Sequence, residues 1–330
     1  MRSHPLVGAA VLVTAGALFI APEAHAVPSA PAPPSVPAPP SVPAPPSVPA
    51  PPSVPAPPSA HGLPDRPVGR IDVEGTVNFR DLGGYRTFSG ARVAAGLVYR
   101  AEALNHLTDA GLATFAGLGV QRVVDLRTPL EVAQDGPDRL PADLAVTRRP
   151  IGDTGMYAAV TAAIGSKDPA RQQAVLGAGR GEEIMRTLYR SFVTDPESRA
   201  AFGGTLRELA DAPSRPMVFH CTSGKDRTGW LGYLLLRSLG VPEATARRDF
   251  LLSNQYRAAA DARTREGLKA GGYMRDPDLL IPVHEVRPAY LDAALDQVRR
   301  SYGSVDRYLR VGLGLDGGTR ARLWRGLLTR

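Results

Sequence analysis

The sequence predicts an α/β fold with a central, mostly parallel sheet that carries helices on both faces. Short β-rich segments lie at residues 92–99, 121–126, 145–151 and 216–220. Helical patterns lie at residues 108–118, 181–194, 196–212 and 228–239, and over most of the chain after Pro242. Strands that alternate with helices are typical of parallel sheets buried on both faces. Ligands bind such sheets where strands end and helices begin.

The first 26 residues have the pattern of a secretory signal. Arg2 and His4 form a polar start, residues 6–20 are apolar, and Ala24-His25-Ala26 supplies a small-x-small cleavage pattern. The apolar run is shorter than the roughly 20 residues of a membrane-spanning helix, and Pro22 follows it directly. We therefore expect a signal peptide at residues 1–26, export of the protein, and no stable insertion in a membrane.

Residues 27–61 are a proline-rich, low-complexity linker. A Val-Pro-Ala-Pro-Pro-Ser hexapeptide recurs there, phased by Val36, Val42, Val48 and Val54. Such a tract favours a polyproline II rod, which rises about 3.1 Å per residue. We interpret it as a spacer that holds the domain away from a cell envelope, with a ligand for an SH3-like partner as the alternative. The protein is accordingly expected outside the cell, either free or associated with the envelope.

Residues 62–330 remain for one large catalytic domain. The chain has 330 residues and a net charge of +7, with 39 basic and 32 acidic side chains. The arginines are scattered among acids rather than clustered in a block, which argues against nucleic-acid binding. We expect a monomer whose partner is its substrate.

The junction between the strand at residues 216–220 and the following helix carries the strongest chemical signal. It reads His220-Cys221-Thr222-Ser223-Gly224-Lys225-Asp226-Arg227-Thr228-Gly229. Cys221 is the only cysteine, so it cannot form an internal disulfide. At a helix N-terminus beside Lys225 and Arg227, a thiolate is stabilised by backbone N–H groups, the helix dipole and two cations.

The same segment predicts a site for a tetrahedral anion. Gly224 relaxes the turn, so that Thr222, Ser223 and Lys225 can aim successive N–H groups into one concavity. Arg227 adds a planar fork that grips two phosphate oxygens, and the Thr228 hydroxyl can donate to the sulfur. A thiolate below bound phosphate indicates phosphoryl transfer through a cysteinyl-phosphate.

This segment resembles the signature of the cysteine-dependent protein tyrosine phosphatase superfamily. Its ending is similar to that of the bacterial secreted tyrosine/serine phosphatases that also act on phosphoinositides. The segments 78–85, 97–102 and 124–127 with Glu131 resemble other motifs of that branch, so the resemblance covers roughly residues 70–330. It implies phosphotyrosine in proteins as the substrate, with phosphoserine and phosphothreonine as further substrates. A phosphoinositide substrate, handled by the same mechanism, is the alternative.

Two aspartates are candidates for the general acid. The resemblance points to Asp226, whose alternative roles are to neutralise Lys225 or Arg227 or to favour the helix N-terminus. Asp153, which follows the segment 145–151, is the second candidate, and its alternative role is that of a turn former. Lys225 adds positive charge for a polyanionic lipid, unless it is a solvated rim charge.

No cofactor and no metal site is expected. The histidines of the domain lack ligand spacing, and we interpret His220 as an accessory residue that fixes the loop beside Cys221. Arg80 with Asp81, and Asp125 with Arg127, are interpreted as structural ion pairs. Tyr189 either lines the site or fills the core.

The polar helical region from Pro242 to about Tyr290 is expected to form a lid over the site. Ser253-Asn254-Gln255 and the Gly271-Gly272 pair should divide it into segments. The resemblance implies this lid, with an ordinary packing extension as the alternative. In this region Arg257, Arg263 and Arg265 could meet an anionic head group, or form a solvated face.

Two other functional classes use similar residues. A rhodanese-type sulfurtransferase also has a cysteine-centred loop, but His220 before the cysteine and Arg-Thr-Gly after it favour the phosphatase. A non-catalytic phosphate-binding module would not need the intact pair of Cys221 and Arg227.

Overall fold

The computed structural model of the protein describes residues 69–329. The predicted signal peptide at residues 1–26, the linker at residues 27–61 and the first residues of the catalytic domain lie outside the described residues. Among residues 69–329, no helix combines the length and the apolar character that a membrane-spanning segment requires.

The main sheet has five strands in the order β1-β3-β6-β4-β5. The strands of this sheet are β1 (Arg80–Asp81), β3 (Val98–Ala101), β4 (Arg122–Asp125), β5 (Val146–Arg148) and β6 (Met217–His220). Only β1 pairs in antiparallel fashion, and the other neighbours are parallel. A second, two-stranded sheet joins β2 (Arg92–Val93) to β7 (Leu328–Thr329). The predicted α/β fold with a mostly parallel sheet is therefore confirmed.

Helices connect and cover these strands. They are α1 (Asp109–Gly117), α2 (Pro129–Asp135), α3 (Met156–Gly165), α4 (Pro169–Leu176), α5 (Arg180–Thr194), α6 (Pro196–Asp211), α7 (Arg227–Ser238), α8 (Glu243–Ala270), α9 (Ile281–His284), α10 (Pro288–Tyr302), α11 (Val305–Arg307) and α12 (Gly317–Leu327). A 3₁₀ turn spans Pro277–Leu280 and a π turn spans Tyr308–Gly312. Helices α3 and α4 were not anticipated from the sequence.

Alternate residues of the central strands face two different hydrophobic clusters. Met217 and Phe219 belong to the larger cluster, whereas Val218 belongs to a smaller one with Phe115 of α1. This alternation is the period of two expected of a strand, and it requires apolar cover on both faces of the sheet. The central strand β6 is consequently held on both edges and both faces.

The segment 92–99, predicted as one strand, is divided between two sheets. Residues 92–93 join β2 and residues 98–99 join β3, with a turn between them in which Gly96 has φ of +79°. The Asp81 carboxylate accepts hydrogen bonds from the amides of Gly83 and Gly96, at 2.7 and 2.6 Å. Asp81 thus fixes this turn and does not pair with Arg80, contrary to prediction.

Helix α8 continues without a break through Ser253 and Asn254, where a division was predicted. The Ser253 hydroxyl lies within hydrogen-bond distance of Asn78 and Arg80 on the neighbouring strand segment. Asn254 donates to the carbonyl of Val286 at 2.7 Å and accepts from its amide at 2.8 Å. These polar side chains bond outside the helix, so they do not compete with its backbone. The predicted break at the glycine pair is correct, because α8 ends at Ala270.

Candidate active site

The segment that follows β6 begins at the carboxyl end of the central strand of the sheet. We call residues 221–227, which connect His220 at the end of β6 to Arg227 at the start of α7, the Cys221 loop. β6 lies between two parallel neighbours, so the loop stands at the carboxyl edge of the sheet, where ligands of α/β proteins bind. Cys221 is buried, with 2% of its surface exposed.

Gly224 gives the Cys221 loop its turn. Its φ is +65°, in the left-handed region that only glycine occupies readily. A Cβ atom at this position would lie 2.5 Å from backbone atoms of Ala101 and Glu102. The loop therefore needs glycine for both its conformation and its close approach to β3.

Three successive carbonyls of the Cys221 loop are bound from behind. The carbonyl of Thr222 accepts from the amide of Ala103 at 3.2 Å, that of Ser223 from Asn78 Nδ2 at 3.2 Å, and that of Gly224 from Arg100 Nη2 at 2.8 Å. A planar peptide unit points its N–H opposite to its carbonyl. The amides that follow these carbonyls are thereby turned to the other side of the loop.

The amides of the Cys221 loop are free for a ligand. Across residues 69–329, none of the N–H groups of residues 222–226 donates a hydrogen bond. Converging N–H groups at the start of a helix form a binding site for an anion. This arrangement agrees with the predicted phosphate site around Thr222, Ser223, Gly224 and Lys225.

Arg227 is held by a carboxylate that the sequence analysis did not assign to the site. Its Nη1 donates to Glu131 Oε2 at 2.6 Å, and its Nη2 donates to Glu131 Oε1. Burial acts to lower the pKa of the Arg227 guanidinium, but the charge and hydrogen bonds of the Glu131 carboxylate raise it on balance. Burial likewise acts to raise the pKa of Glu131, but the charge and hydrogen bonds of Arg227, with those of Thr222 and Thr128, lower it to about 2.

Glu131 is placed by the start of α2. Thr128 and Glu131 form a reciprocal capping box, with Pro129 at the first helical position. The local Thr-Pro-Leu-Glu sequence carries this capping signal, so the helix start was predictable, although the contact with Arg227 was not. The Thr222 hydroxyl donates to Glu131 Oε1 at 2.6 Å. Thr222 can therefore bind a substrate through its amide, while its hydroxyl supports Glu131.

Asp226 lies between two donors. Tyr189 of α5 donates to its Oδ1 at 2.9 Å, and Lys225 Nζ donates to its Oδ2 at 2.7 Å. Asp226 stands at the N-cap of α7 without a capping hydrogen bond from its side chain, and its ion pair with Lys225 is the neutralising contact that the sequence left open. Lys225 is 3% exposed, which excludes a solvated rim charge. Tyr189 is buried in the core and also contacts the site through Asp226.

A family comparison agrees with this geometry. A model of the tyrosine phosphatase family matches residues 71–329. The chain belongs to this family. The resemblance found in the segment 220–229 is thereby confirmed, and the enzyme is a protein tyrosine phosphatase.

Named relatives extend over most of the phosphatase. It is 32% identical over 246 residues to a tyrosine-protein phosphatase of Cupriavidus necator, which covers 72% of this chain and 82% of that relative. It is 29% identical over 282 residues to the triple specificity protein phosphatase PtpB of Mycobacterium tuberculosis, covering 78% of this chain and 98% of that one. A tyrosine-protein phosphatase of Nostoc commune is 31% identical over 164 residues, half of each chain.

Asp153 of the phosphatase is engaged in its own turn. Its carboxylate accepts from the amide of Gly155 at 3.0 Å and from that of Tyr157 at 2.7 Å, at the start of α3. This is the turn-forming role that the sequence left open. The negative charge of Asp153 still reaches Arg227, because it contributes to the raised pKa of that guanidinium.

His220 anchors the loop from inside the sheet. Its Nε2 lies 3.0 Å from Asp138 Oδ2. Arg127 Nη2 forms ion pairs with Asp138 Oδ1 at 2.9 Å and with Asp125 Oδ2 at 3.0 Å. Burial lowers the pKa of His220, but Asp138 and Asp125 raise it on balance. Although two carboxylates and the imidazole lie close enough to hold a metal, the Arg127 guanidinium already bonds to both carboxylates. The predicted ion pair of Asp125 and Arg127 is confirmed.

The predicted bond from Thr228 to the sulfur does not form. The Thr228 hydroxyl is completely buried and has no hydrogen-bond partner in the described part of the chain. Thr228 does not border the cavity above Cys221.

Two helical segments cover the cavity above Cys221. The cavity has a volume of about 90 Å³, with the Cys221 loop as its floor. Its roof is defined here as α3 together with residues 264–284. In the roof, Ile164, Leu268, Met274 and Leu280 form a separate hydrophobic cluster with Leu176 of α4. The predicted lid therefore covers the site with its later residues, and α3, which the sequence analysis missed, completes it.

The charged residues predicted in the lid have different surroundings. Arg257 is buried and pairs with Glu102 and Asp261, both at distances below 3 Å, and Arg257 Nη1 also reaches the Ser223 carbonyl at 3.2 Å. Arg257 thus supports the Cys221 loop, whereas Arg263 is exposed. On the roof, burial and the nearby cations Arg257, Lys225 and Arg265 lower the pKa of His284 to about 4.

Proposed function

We propose that the phosphatase hydrolyses phosphotyrosine in proteins through a cysteinyl-phosphate on Cys221, and that it also accepts phosphoserine and phosphothreonine. The observation that carries this proposal is the position of the Cys221 thiol below unbonded amides and beside the Arg227 fork. The name of the mycobacterial relative, a triple specificity phosphatase, supports the wider substrate range.

In the first step, the Cys221 thiolate attacks phosphorus and forms the S–P bond. The P–O bond to the substrate breaks, and its electron pair goes to the ester oxygen, which takes a proton from an acid. The amides of residues 222–226 and the Arg227 guanidinium hold the three other phosphoryl oxygens. Fixed donors aimed at developing charge are the largest contribution to such catalysis.

In the second step, water attacks the cysteinyl-phosphate and the S–P bond breaks. The proton of the water passes to the carboxylate left by the first step. The products are inorganic phosphate and the regenerated Cys221 thiolate. The whole cycle uses groups of the chain and water, which agrees with our proposal that it needs no cofactor.

We assign the acid to Asp226. Its carboxyl lies next to Arg227 in the loop and borders the cavity. An entering phosphate dianion competes with Asp226 for the Lys225 ammonium and so weakens the contact that holds the Asp226 carboxylate. Asp153 is the rival acid, and its two hydrogen bonds from α3 would have to break first.

A phosphoinositide is the second candidate substrate. Lys225 borders the same cavity as Arg227, and it gives the floor a second cation next to the site of the reacting phosphate. A polyanionic head group would use that additional charge.

Phosphate release by the full chain tests these proposals. Wild type and Cys221→Ser should be compared on phosphotyrosine peptide, phosphoserine peptide and phosphatidylinositol 3-phosphate, without added metal. We expect activity on the phosphopeptides that is lost in Cys221→Ser. Preference for the lipid would replace the first substrate proposal by the second, and transfer of sulfur instead of release of phosphate would overturn both.

Two aspartate variants identify the acid. Asp226→Asn should lower kcat by about 100-fold or more on phosphotyrosine, and less on a substrate with a good leaving group such as p-nitrophenyl phosphate. Asp153→Asn is the matched variant, and it should leave the ratio of kcat on phosphotyrosine to kcat on p-nitrophenyl phosphate unchanged. The reverse result would assign the acid to Asp153.

Mass spectrometry of acid-quenched enzyme should find the phosphoryl group on the peptide that contains Cys221.

We also propose that the phosphatase is exported and acts outside the producing cell as a monomer. The basis for export is the signal pattern at residues 1–26, and the monomer is the expectation for a domain whose partner is its substrate. N-terminal sequencing of protein from the culture medium should begin at Val27. Protein that stays in the cell with an intact Met1 would contradict export, and light scattering of the purified chain would reveal an oligomer.

A further inference from the structure

A buried cluster of charges lies behind the Cys221 loop. Asp249 of α8 accepts from Arg80 Nε at 3.0 Å and from Arg100 Nη1 at 2.6 Å. The Tyr85 hydroxyl donates to the same carboxylate at 3.2 Å. Both arginines and the aspartate are 0% exposed, so their charges are removed from water.

This cluster has an excess of positive charge. It contains two guanidinium groups and one carboxylate, and within residues 69–329 neither Arg80 nor Arg100 pairs with a second acid. Asp81, which follows Arg80, is occupied by two backbone amides. A buried charge without a partner is strongly unfavourable, so an anion close to the cluster would be stabilised by it.

Arg100 directs this excess charge to the Cys221 loop. Its Nη2 donates to the Gly224 carbonyl at 2.8 Å. A Cβ on Gly229 or Gly232 would lie 3.3 Å from its guanidinium nitrogens, so the glycines of the first turns of α7 make room for it. The Nε of Arg100 is buried and has no hydrogen-bond partner among the described residues.

The other cations around Cys221 are matched by carboxylates of their own. Arg227 is paired with Glu131 and Lys225 with Asp226, and the single guanidinium of Arg257 is paired with two carboxylates, those of Glu102 and Asp261. Burial and Arg80 lower the pKa of Arg100 to about 10, whereas negative charge on Asp249 and Cys221 acts to raise it. Cys221 and Arg100 therefore interact electrostatically, and this interaction is reciprocal.

We propose that Arg100 is a positioning residue of the phosphatase, which holds Gly224 in place and whose unmatched buried charge stabilises the Cys221 thiolate. Arg100 does not border the cavity, so it acts through the loop and the sulfur rather than on the substrate. The thiolate supplies the negative charge that the cluster of Arg80, Arg100 and Asp249 lacks.

The pH dependence of Cys221 alkylation by iodoacetamide tests this proposal without turnover. The charged and titratable groups around the thiol come from the loop and from the elements packed on it: Arg227, Asp226 and Lys225 of the loop, Glu131 of α2, Arg100 of β3, Tyr157 of α3, Tyr189 of α5, Arg257 of α8 and His284 of α9. Arg100→Gln leaves the others in place and removes one positive charge. We expect the midpoint of alkylation to rise by about one pH unit, with a reaction about tenfold slower at pH values well below the wild-type midpoint.

Two further variants separate charge from position. Arg80→Gln removes the excess charge but keeps the bond from Arg100 to Gly224, so it should also raise the midpoint. Arg100→Lys keeps the charge but loses the planar fork, so it should leave the midpoint near that of wild type and lower kcat. If Arg100→Gln does not fold, these two variants still decide the question.

Arg122 provides a matched control. It is a buried arginine that donates to the carbonyls of Glu208, Ala212 and Arg215. Arg122 is the first residue of β4, so it lies at the opposite end of the sheet from the Cys221 loop. Arg122→Gln should reduce stability but leave the alkylation midpoint unchanged. Equal midpoints in wild type, Arg80→Gln and folded Arg100→Gln would overturn the proposal, and so would an equal shift in Arg122→Gln.

Discussion

Arg227 and Glu131 form a two-pronged ion pair inside the protein, between residues 96 positions apart in the sequence. Both side chains are almost completely buried. The pair joins the first turn of α7 to the first turn of α2, so the orientation of the guanidinium depends on both helices. Glu131 thereby fixes the plane of the Arg227 guanidinium.

Replacing Glu131 by Gln should therefore impair catalysis although Glu131 does not bind the phosphate. Loss of one prong leaves Arg227 free to rotate, and a small misplacement of a catalytic group can lower the rate about 100-fold. We expect kcat to fall by about that factor. Steady-state kinetics on p-nitrophenyl phosphate measure it, and a kcat within twofold of wild type would contradict this role.

The same variant should change the acid stability of the fold. The pKa of Glu131 falls from its ordinary value of 4.5 to about 2 in the folded protein, which corresponds to about 3 kcal/mol. A lowered pKa stabilises the folded state above pH 4.5, and this contribution is lost as the pH falls toward 2. The difference in unfolding free energy between wild type and Glu131→Gln should shrink over that interval.

Urea unfolding at pH 7 and at pH 3 measures this difference. Glu183→Gln is a suitable control, because Glu183 forms an exposed ion pair with Arg190. Such surface pairs contribute little to stability. A difference for Glu131→Gln that stays constant with pH would show that the pair does not act through its charge.

Replacing Gly224 by Ala should damage both stability and activity. The new Cβ would meet the backbone of β3 at 2.5 Å, in addition to the strain of a positive φ. We expect a loss of about 3 kcal/mol in unfolding free energy and a deformed Cys221 loop. Thermal unfolding and phosphate release measure the two effects.

Gly303→Ala separates strain from collision. Gly303 has a φ of +82° and nothing within 4 Å of its Cβ position, at the end of α10. That variant should lose about 1–2 kcal/mol and keep full activity. Equal effects of both substitutions would mean that the contact between Gly224 and β3 is unimportant.

Replacing Asn254 by Ala should loosen the segment after α9. Asn254 makes two hydrogen bonds with the backbone of Val286, and its loss leaves that amide and carbonyl without them. We expect about 1–3 kcal/mol less local stability and faster hydrogen exchange at residues 281–287. Gln255→Ala changes an exposed neighbouring position, so hydrogen exchange at residues 281–287 should be the same in this variant as in wild type.

The chemistry of the site was readable from the sequence because its reacting groups are consecutive. Cys221, Asp226 and Arg227 lie within one loop, so a strand before it and a helix after it were enough to bring them together. Glu131, Asn78 and Arg100 belong to three separate segments, and only the three-dimensional path of the sheet places them behind the same loop.

Burial was harder to predict than connectivity. Lys225 is a lysine in a polar loop, and nothing near it in sequence indicates that α3 and the end of α8 cover it. The division of residues 92–99 between two sheets was also hidden, because strands of two to four residues are too short for a reliable alternation of polar and apolar side chains.

The buried residues of the roof cluster belong to neither of the two clusters that pack on the sheet, and only the half-buried Val283 packs against both the roof cluster and the larger of the two. Substitutions in Ile164, Leu268 or Leu280 therefore reshape the ceiling of the cavity without disturbing the strands that carry Cys221. Selection can act on the two parts independently. A change of roof residues can thus alter the shape of the cavity, while the residues of the Cys221 loop stay the same.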